Sequence, residues 1–281
     1  MMQQLTRCFS FWQIYPTYES YLYMYTHVHR NKNEDFNHGM LHILQNVFGV
    51  RVVYNLKDVD ESTLLVKPLY DTGMEQSLQQ GIVFQTKEHA AIFRRGVQAY
   101  YNISAEGCRV GKTEPVIAIL NRQTKSRRTI VNAKRLQQYL QKLTSHPVNI
   151  VTFENKTFLE QISFMSQTDI LVSPHGAQLT SINFMPAPCG AVFEIFPPGY
   201  YVPHFFGPLA VTSGLRHGFV YTGKNVDKEW FHGTLHDRPS RFKARRSHVC
   251  VPLQTSLEMI GKMVDKWKVC CQEHGIAMRF D

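Results

Sequence analysis

From Pro115 onward the chain alternates short apolar runs with stretches of helical periodicity, and that alternation limits what it can fold into. Val116–Leu120, "VNIVTF" at 148–153, Ile170–Ser173, Val192–Ile195, "GFVYTG" at 218–223 and "HVCVPL" at 248–253 read as strands. Between them lie helical patterns. One carries Leu136, Tyr139, Leu140 and Leu143. Another opens with Thr157-Phe-Leu-Glu160, a capping-box spelling in which Thr and Glu satisfy each other's free backbone donors. The last places Leu257, Ile260, Val264, Trp267 and Cys271 on one face. Short apolar strands separated by helices are βαβ units, and βαβ units build a parallel sheet covered on both faces. The expected fold class is therefore α/β, with a Rossmann-like parallel-sheet domain over residues 109–281.

Residues 1–108 read less regularly, as a shorter companion α/β domain that is small or truncated. Tyr21–Val28 and "VRVVYNL" after Gly49 suggest strands, and Phe36–Phe48 and His89–Tyr101 suggest helices. The N-terminus has neither the apolar centre nor the small-residue cleavage site of a signal peptide. No run reaches membrane-spanning length, so contact with a membrane is expected only through an anchor that this sequence does not show.

The formal net charge of +9 favours anionic partners. The six cysteines form no CxxC pair, so a zinc or redox cassette is not expected, while an oxidising compartment would suit one or two disulfides. Asn102-Ile-Ser and Asn155-Lys-Thr would accept glycans in a secretory lumen.

The chemistry concentrates in "DILVSPHGAQLTSINFMPAPCGAVFEIFPP", Asp169–Pro198. In open α/β sheets ligands bind beyond the carboxyl ends of the strands, where helix N-termini point. There Gly176 would let backbone approach a ligand. The helix opened by Ala177 and Gln178 would offer free N–H groups to an anion. His175 would donate to a phosphate oxygen, and Glu194, at the end of the next strand, would accept from ribose hydroxyls. A His-Gly turn alone is more often structural. The second basic element, "LNRQTKSRRTIVNAKR", strengthens the reading, because Arg122, Lys125, Arg127 and Arg128 follow a strand and would face the same edge. A dinucleotide fingerprint and a P-loop are both absent. "FRRG" (Arg94, Arg95) would reach the cleft or lie on the surface. "RFKARRSH" at 241–248 reads as a solvated loop, with too little aromatic interleaving for a nucleic-acid groove. Asn33, Glu34, Asp35 and His38 would supply a base or cap a helix, and Asp58 and Asp60 read as loop residues.

With these residues in view, the chain resembles glycosyltransferase family 61. The likeness rests on Phe158–Pro197, with its His-Gly-Ala-Gln-Leu-Thr, Phe-Met-Pro and Glu-Ile-Phe-Pro, and on the Arg122–Asn132 segment. The resemblance implies a GT-B-like fold with a nucleotide sugar in the cleft. It implies inverting, metal-independent transfer of GlcNAc or xylose from a UDP-sugar to a protein- or glycan-linked hydroxyl. No metal or other cofactor is expected, and no nucleic acid partner. The compartment implied is the endoplasmic reticulum or Golgi lumen. Arg122, Arg127, Arg128, His175, Gly176, Ala177, Gln178 and Glu194 become donor-site positions, with His38 and His175 as catalytic residues and His38 as the base. The alternative is an inactive relic of the same fold that binds a nucleotide or glycan only.

Overall fold

The computed structural model describes residues 21–23, 34–49, 51–53, 84, 86–104, 107–108, 112–123, 127–223, 239 and 243–277. Its centre is a five-stranded sheet: β3 (Ile117–Asn121), β4 (Asn149–Thr152), β5 (Ile170–Pro174), β6 (Ala191–Phe196) and β7 (Arg216–Tyr221). Two short strands, β1 (Tyr21–Tyr23) and β2 (Arg51–Val53), pair with each other in parallel. All four pairings of the main sheet are parallel, in the order β4-β3-β5-β6-β7. The chain steps outward from β3 to β4, then returns to β5 on the other side of β3. That reversal makes the β3/β5 boundary the topological switch point, where connections diverge and leave a crevice beyond the strand ends.

β3, β5 and β6 are buried along their whole length, which is why they read as continuous apolar runs rather than alternating ones. Their side chains still sort by parity. Leu120, Leu171 and Val192 enter one cluster; Ile119, Val172 and Phe193, aligned across three strands, enter the other. The first face is covered by α1 (Glu34–Asn46), α2 (Lys87–Tyr100), α4 (Phe158–Ser166) and α5 (Pro203–Thr212), which supply Met40, Phe93, Ile162 and Leu209. The second face is covered by α3 (Ala133–Leu140) and α6 (Leu253–Ala277), through Leu136, Ile260, Val264 and Trp267. α4 opens on the expected capping box, with Thr157 accepting from the Glu160 amide and Glu160 accepting from the Thr157 amide.

Two expected elements differ. "HVCVPL" is not a strand: only an isolated bridge links Val249 to Ile130. The Asn132 side chain takes up the rest, accepting from the Val251 amide and donating to the Val251 carbonyl, so a side-chain amide replaces a neighbouring strand. The segment after the His-Gly turn, Ala177–Phe184, is a 3-10 helix rather than an α-helix. The hydroxyls of Thr180 and Ser181 there bond carbonyls three residues back, tightening the coil. Of the strand expected at Tyr21–Val28, only β1 falls among the described residues; Asn33, Asp58 and Asp60 lie outside them.

Adjacent cysteines near the end of α6 tie it to two loops, Cys108–Cys271 and Cys189–Cys270, and among the described residues Cys250 is free and exposed. Closing long loops removes entropy from the unfolded chain, by roughly 2–5 kcal/mol for a native bridge. Non-reducing peptide mapping should recover both pairs, and reduction should lower the thermal midpoint by several degrees. An unchanged midpoint would show that the bridges do not contribute.

Candidate active site

The arginine loop after β3 and the His-Gly turn after β5 meet at the switch point. Arg128 Nη1 donates to the main-chain carbonyl of His175 at 2.9 Å. A Cβ built on Gly176 would lie 3.0 Å from Arg122 Nη2 and 3.4 Å from Arg128 Nη1. Both guanidiniums therefore reach the turn where a side chain would stand, and glycine is what leaves them room. Gly176→Ala should push the two arginines off the turn and weaken anion binding with little loss of stability; calorimetric titration with UDP would show it, and undiminished affinity would contradict it.

Among the described residues neither arginine forms a salt bridge, and the Glu154 carboxylate acts only on Arg122. Arg128 is buried, holds a left-handed backbone at φ 64°, and its Nε is unpaired among the described residues, as is that of Arg122. A non-glycine residue in that region is strained, and such strain gathers at functional positions. Burial lowers the Arg128 pKa to about 9, with Arg122 and Arg245 adding repulsion. Arg122 is also lowered by burial, offset in part by Glu154. Buried positive groups without an acid partner are costly unless an anion joins them. The first N–H groups of the 3-10 helix, which have no intrahelical acceptors, open at the same place.

His175 and Glu194 come together as well, in roles different from those expected. Glu194 is fully buried, and both its oxygens are occupied, by His175 Nδ1 at 2.6 Å and by His217 Nε2 at 2.9 Å. Buried and bonded to both rings, it braces two imidazoles. Burial acts to raise its pKa, but the hydrogen bonds from both histidines outweigh that, and the carboxyl stays below its usual range. Burial pushes the His175 pKa down against the pull of Glu194, with Arg128 and Arg245 adding to the fall. A neutral imidazole that gives its Nδ1 proton to a carboxylate keeps a lone pair on Nε2. With Nδ1 turned to Glu194, only Nε2 of His175 is left for a ligand. Its ring is packed among Phe196, Tyr200, Phe205 and Phe206.

The remaining expected residues divide. Gln178 Nε2 donates to Ser173 Oγ at 2.8 Å and to the Leu120 carbonyl at 3.2 Å, so its amide stitches β5 to β3 across the switch point. Ala177 is exposed at the turn. Arg127 is exposed; its charge acts on Arg128, and none of its described contacts brings it to the Gly176 turn. Arg94 is a structural clip: it is buried and donates to the carbonyls of Asn183 and Ser213, while Arg95 is exposed. His38 is exposed on α1, next to Gly39, whose backbone packs against Phe158. None of its described contacts joins it to the arginine turn.

Three participants were missed. His217 lies on the same face as Glu194, and the alternation His217-Phe219-Tyr221 carries that signal in the sequence. Tyr200 packs on His175 and under Arg245, whose guanidinium carbon is 5.8 Å from the Tyr200 ring centre. Arg245 is hidden in a basic run that reads as a solvated loop.

The geometry brings two guanidiniums to a glycine turn at the sheet's switch point. The Glycosyltransferase 61 family model matches residues 8–192. The chain belongs to glycosyltransferase family 61. Among its relatives, the EGF domain-specific O-linked N-acetylglucosamine transferase of Bos taurus is 36% identical over 106 residues, 37% of this chain and 19% of that protein. The Pan troglodytes protein of the same name is 29% identical over 161 residues, 54% of this chain and 30% of that one. Protein O-linked-mannose beta-1,4-N-acetylglucosaminyltransferase 2 of Mus musculus is 32% identical over 133 residues, covering 46% and 22%. The family 61 chain thus aligns with less than a third of the length of each of these proteins.

Proposed function

We propose that the chain transfers a sugar, GlcNAc or xylose, from a UDP-sugar to a hydroxyl of a protein or glycan, with inversion and without a metal. The observation that carries this is the convergence of Arg122 and Arg128 on the Gly176 turn at the sheet's switch point, in a member of family 61. Those guanidiniums would hold the diphosphate. An acceptor hydroxyl would attack the anomeric carbon from the opposite face; the bond to the phosphate oxygen breaks, its electron pair stays on UDP, and the hydroxyl proton passes to a base. His38 is the base put forward for test.

The metal-independent part rests on arginines supplying charge that a cation would otherwise supply. Asp58-Val59-Asp60, outside the described residues, spells a carboxylate pair of the kind that can carry a divalent ion, so chelation is a needed control. Two-domain GT-B closure belongs to the same proposal; of residues 1–108, put on the acceptor side, α1 and α2 pack on the first face of the main sheet. So does a luminal compartment, supported by two disulfides and by exposed Asn102 and Asn155 in their sequons. No described helix is long and apolar enough to cross a membrane.

The test is UDP release from UDP-GlcNAc and UDP-xylose with glycopeptide acceptors, with and without EDTA. Turnover that survives chelation and falls in His38→Ala is expected. Turnover abolished by EDTA and restored by manganese would overturn the metal-free mechanism, unchanged turnover in His38→Ala would remove the base, and UDP binding without turnover on any acceptor would favour the relic.

A further inference from the structure

We propose that Arg245 is the group that takes up the charge released on the diphosphate as the sugar departs. The inference rests on the reading of the arginine turn as a nucleotide-sugar site. Arg245 follows Ala244, which is buried against Phe196, Tyr200 and Val202 beyond the carboxyl end of β6, so the backbone at this point is anchored beside the site. Its guanidinium lies over Tyr200, and the Tyr200 ring centre is 5.2 Å from that of His175. It is close enough to Arg122, Arg128 and His175 for its charge to repel protons from all three. Among the described residues it has no carboxylate partner.

Charge counting separates its role from that of the other two. A UDP-sugar carries two negative charges on its diphosphate. When the anomeric carbon–oxygen bond breaks, the electron pair remains on the β-phosphate and the product UDP carries one more, above a terminal phosphate pKa of about 6. Arg122 and Arg128, both at the Gly176 turn, match the donor, and the opposite charges of Arg127 and Glu154 beside them offset each other. A third guanidinium, left without an acid and repelled by its neighbours, is in excess before reaction and matched after it. An interaction stronger with the departing group than with the donor accelerates the chemical step instead of tightening donor binding. Arg245 thus acts on the reacting oxygen, whereas Arg122 and Arg128 hold the donor and the product alike.

The experiment is calorimetric titration of the full chain with UDP and with UDP-GlcNAc, for wild type, Arg245→Gln, Arg245→Lys and Arg128→Ala. Thermal midpoints confirm folding; partial exposure of Arg245 makes folded variants the expectation. Wild type should bind UDP more tightly than UDP-GlcNAc. Arg245→Gln should reduce that preference about tenfold, mostly by weakening UDP, and Arg245→Lys should keep part of it. Equal weakening of both ligands would overturn the inference, as would an unchanged preference. If Arg128→Ala abolishes binding of both ligands while Arg245→Gln is silent, only this inference falls. If Arg128→Ala is silent too, the site reading falls with it.

Discussion

Arg128→Ala is expected to lower kcat/KM for sugar transfer by about 10- to 100-fold, the usual loss when one charged hydrogen bond to the donor's diphosphate is removed. The guanidinium is buried, its position is fixed by the bond to the His175 carbonyl, and its backbone is held in a left-handed turn. None of that precision comes from an acid partner, so it is available to a ligand. The cost to stability should be modest, about 1–3 kcal/mol, because the His175 carbonyl loses its donor in a buried place. Arg128→Lys should not rescue, since an ammonium cannot serve the carbonyl and a phosphate in the same planar arrangement. Steady-state transfer assays with thermal denaturation separate the two effects; a folded, fully active Arg128→Ala enzyme would remove the arginine from the mechanism.

Glu194→Ala should produce the largest loss of stability, about 3–5 kcal/mol, the range for stripping one partner from a buried charged network. Its carboxylate satisfies His175 and His217 together, so truncation orphans two buried imidazole N–H groups and leaves a cavity between β6 and β7. Acid should expose the same network. His175 has a folded pKa below its ordinary 6.5, so the unfolded chain binds the extra proton first, and stability is full above that value and drains as the pH falls below it. Glu194 is also held below its ordinary 4.5, which adds a second loss further down. Both losses run in one direction. Chemical denaturation from pH 8 to pH 4 should show falling stability through this window in wild type and a steeper fall in Glu194→Gln, which lacks the carboxylate that holds the His175 pKa up. Parallel profiles would contradict the network.

Much of the fold was legible because β3, β5 and β6 are buried on both faces, and double burial writes itself as an apolar run. The meeting of Arg122, Arg128 and Gly176 was legible for a related reason: parallel strands send every following loop to one edge. What could not be read was the direction each side chain takes within that edge. Glu194 sits where a ribose ligand would, yet a histidine one strand over claims its second oxygen. Gln178 turns inward because Ser173 and the Leu120 carbonyl need a donor. Arg127 and Arg128 are neighbours in sequence, yet Arg127 is exposed while Arg128 is buried at the Gly176 turn. "HVCVPL" has strand composition, but the Asn132 side chain meets its backbone first. Arg245 depends on Ala244 docking beside Tyr200, a contact between residues far apart in the chain that no local pattern announces.

The central claim is that two guanidiniums and one glycine turn make a single diphosphate site. Titration of wild type, Arg122→Ala, Arg128→Ala and the double variant with UDP tests it most directly. The account predicts that each single variant weakens UDP and that the double loses less than the product of the singles, because both arginines grip one ligand. Wild-type affinity for UDP in the double variant would contradict it.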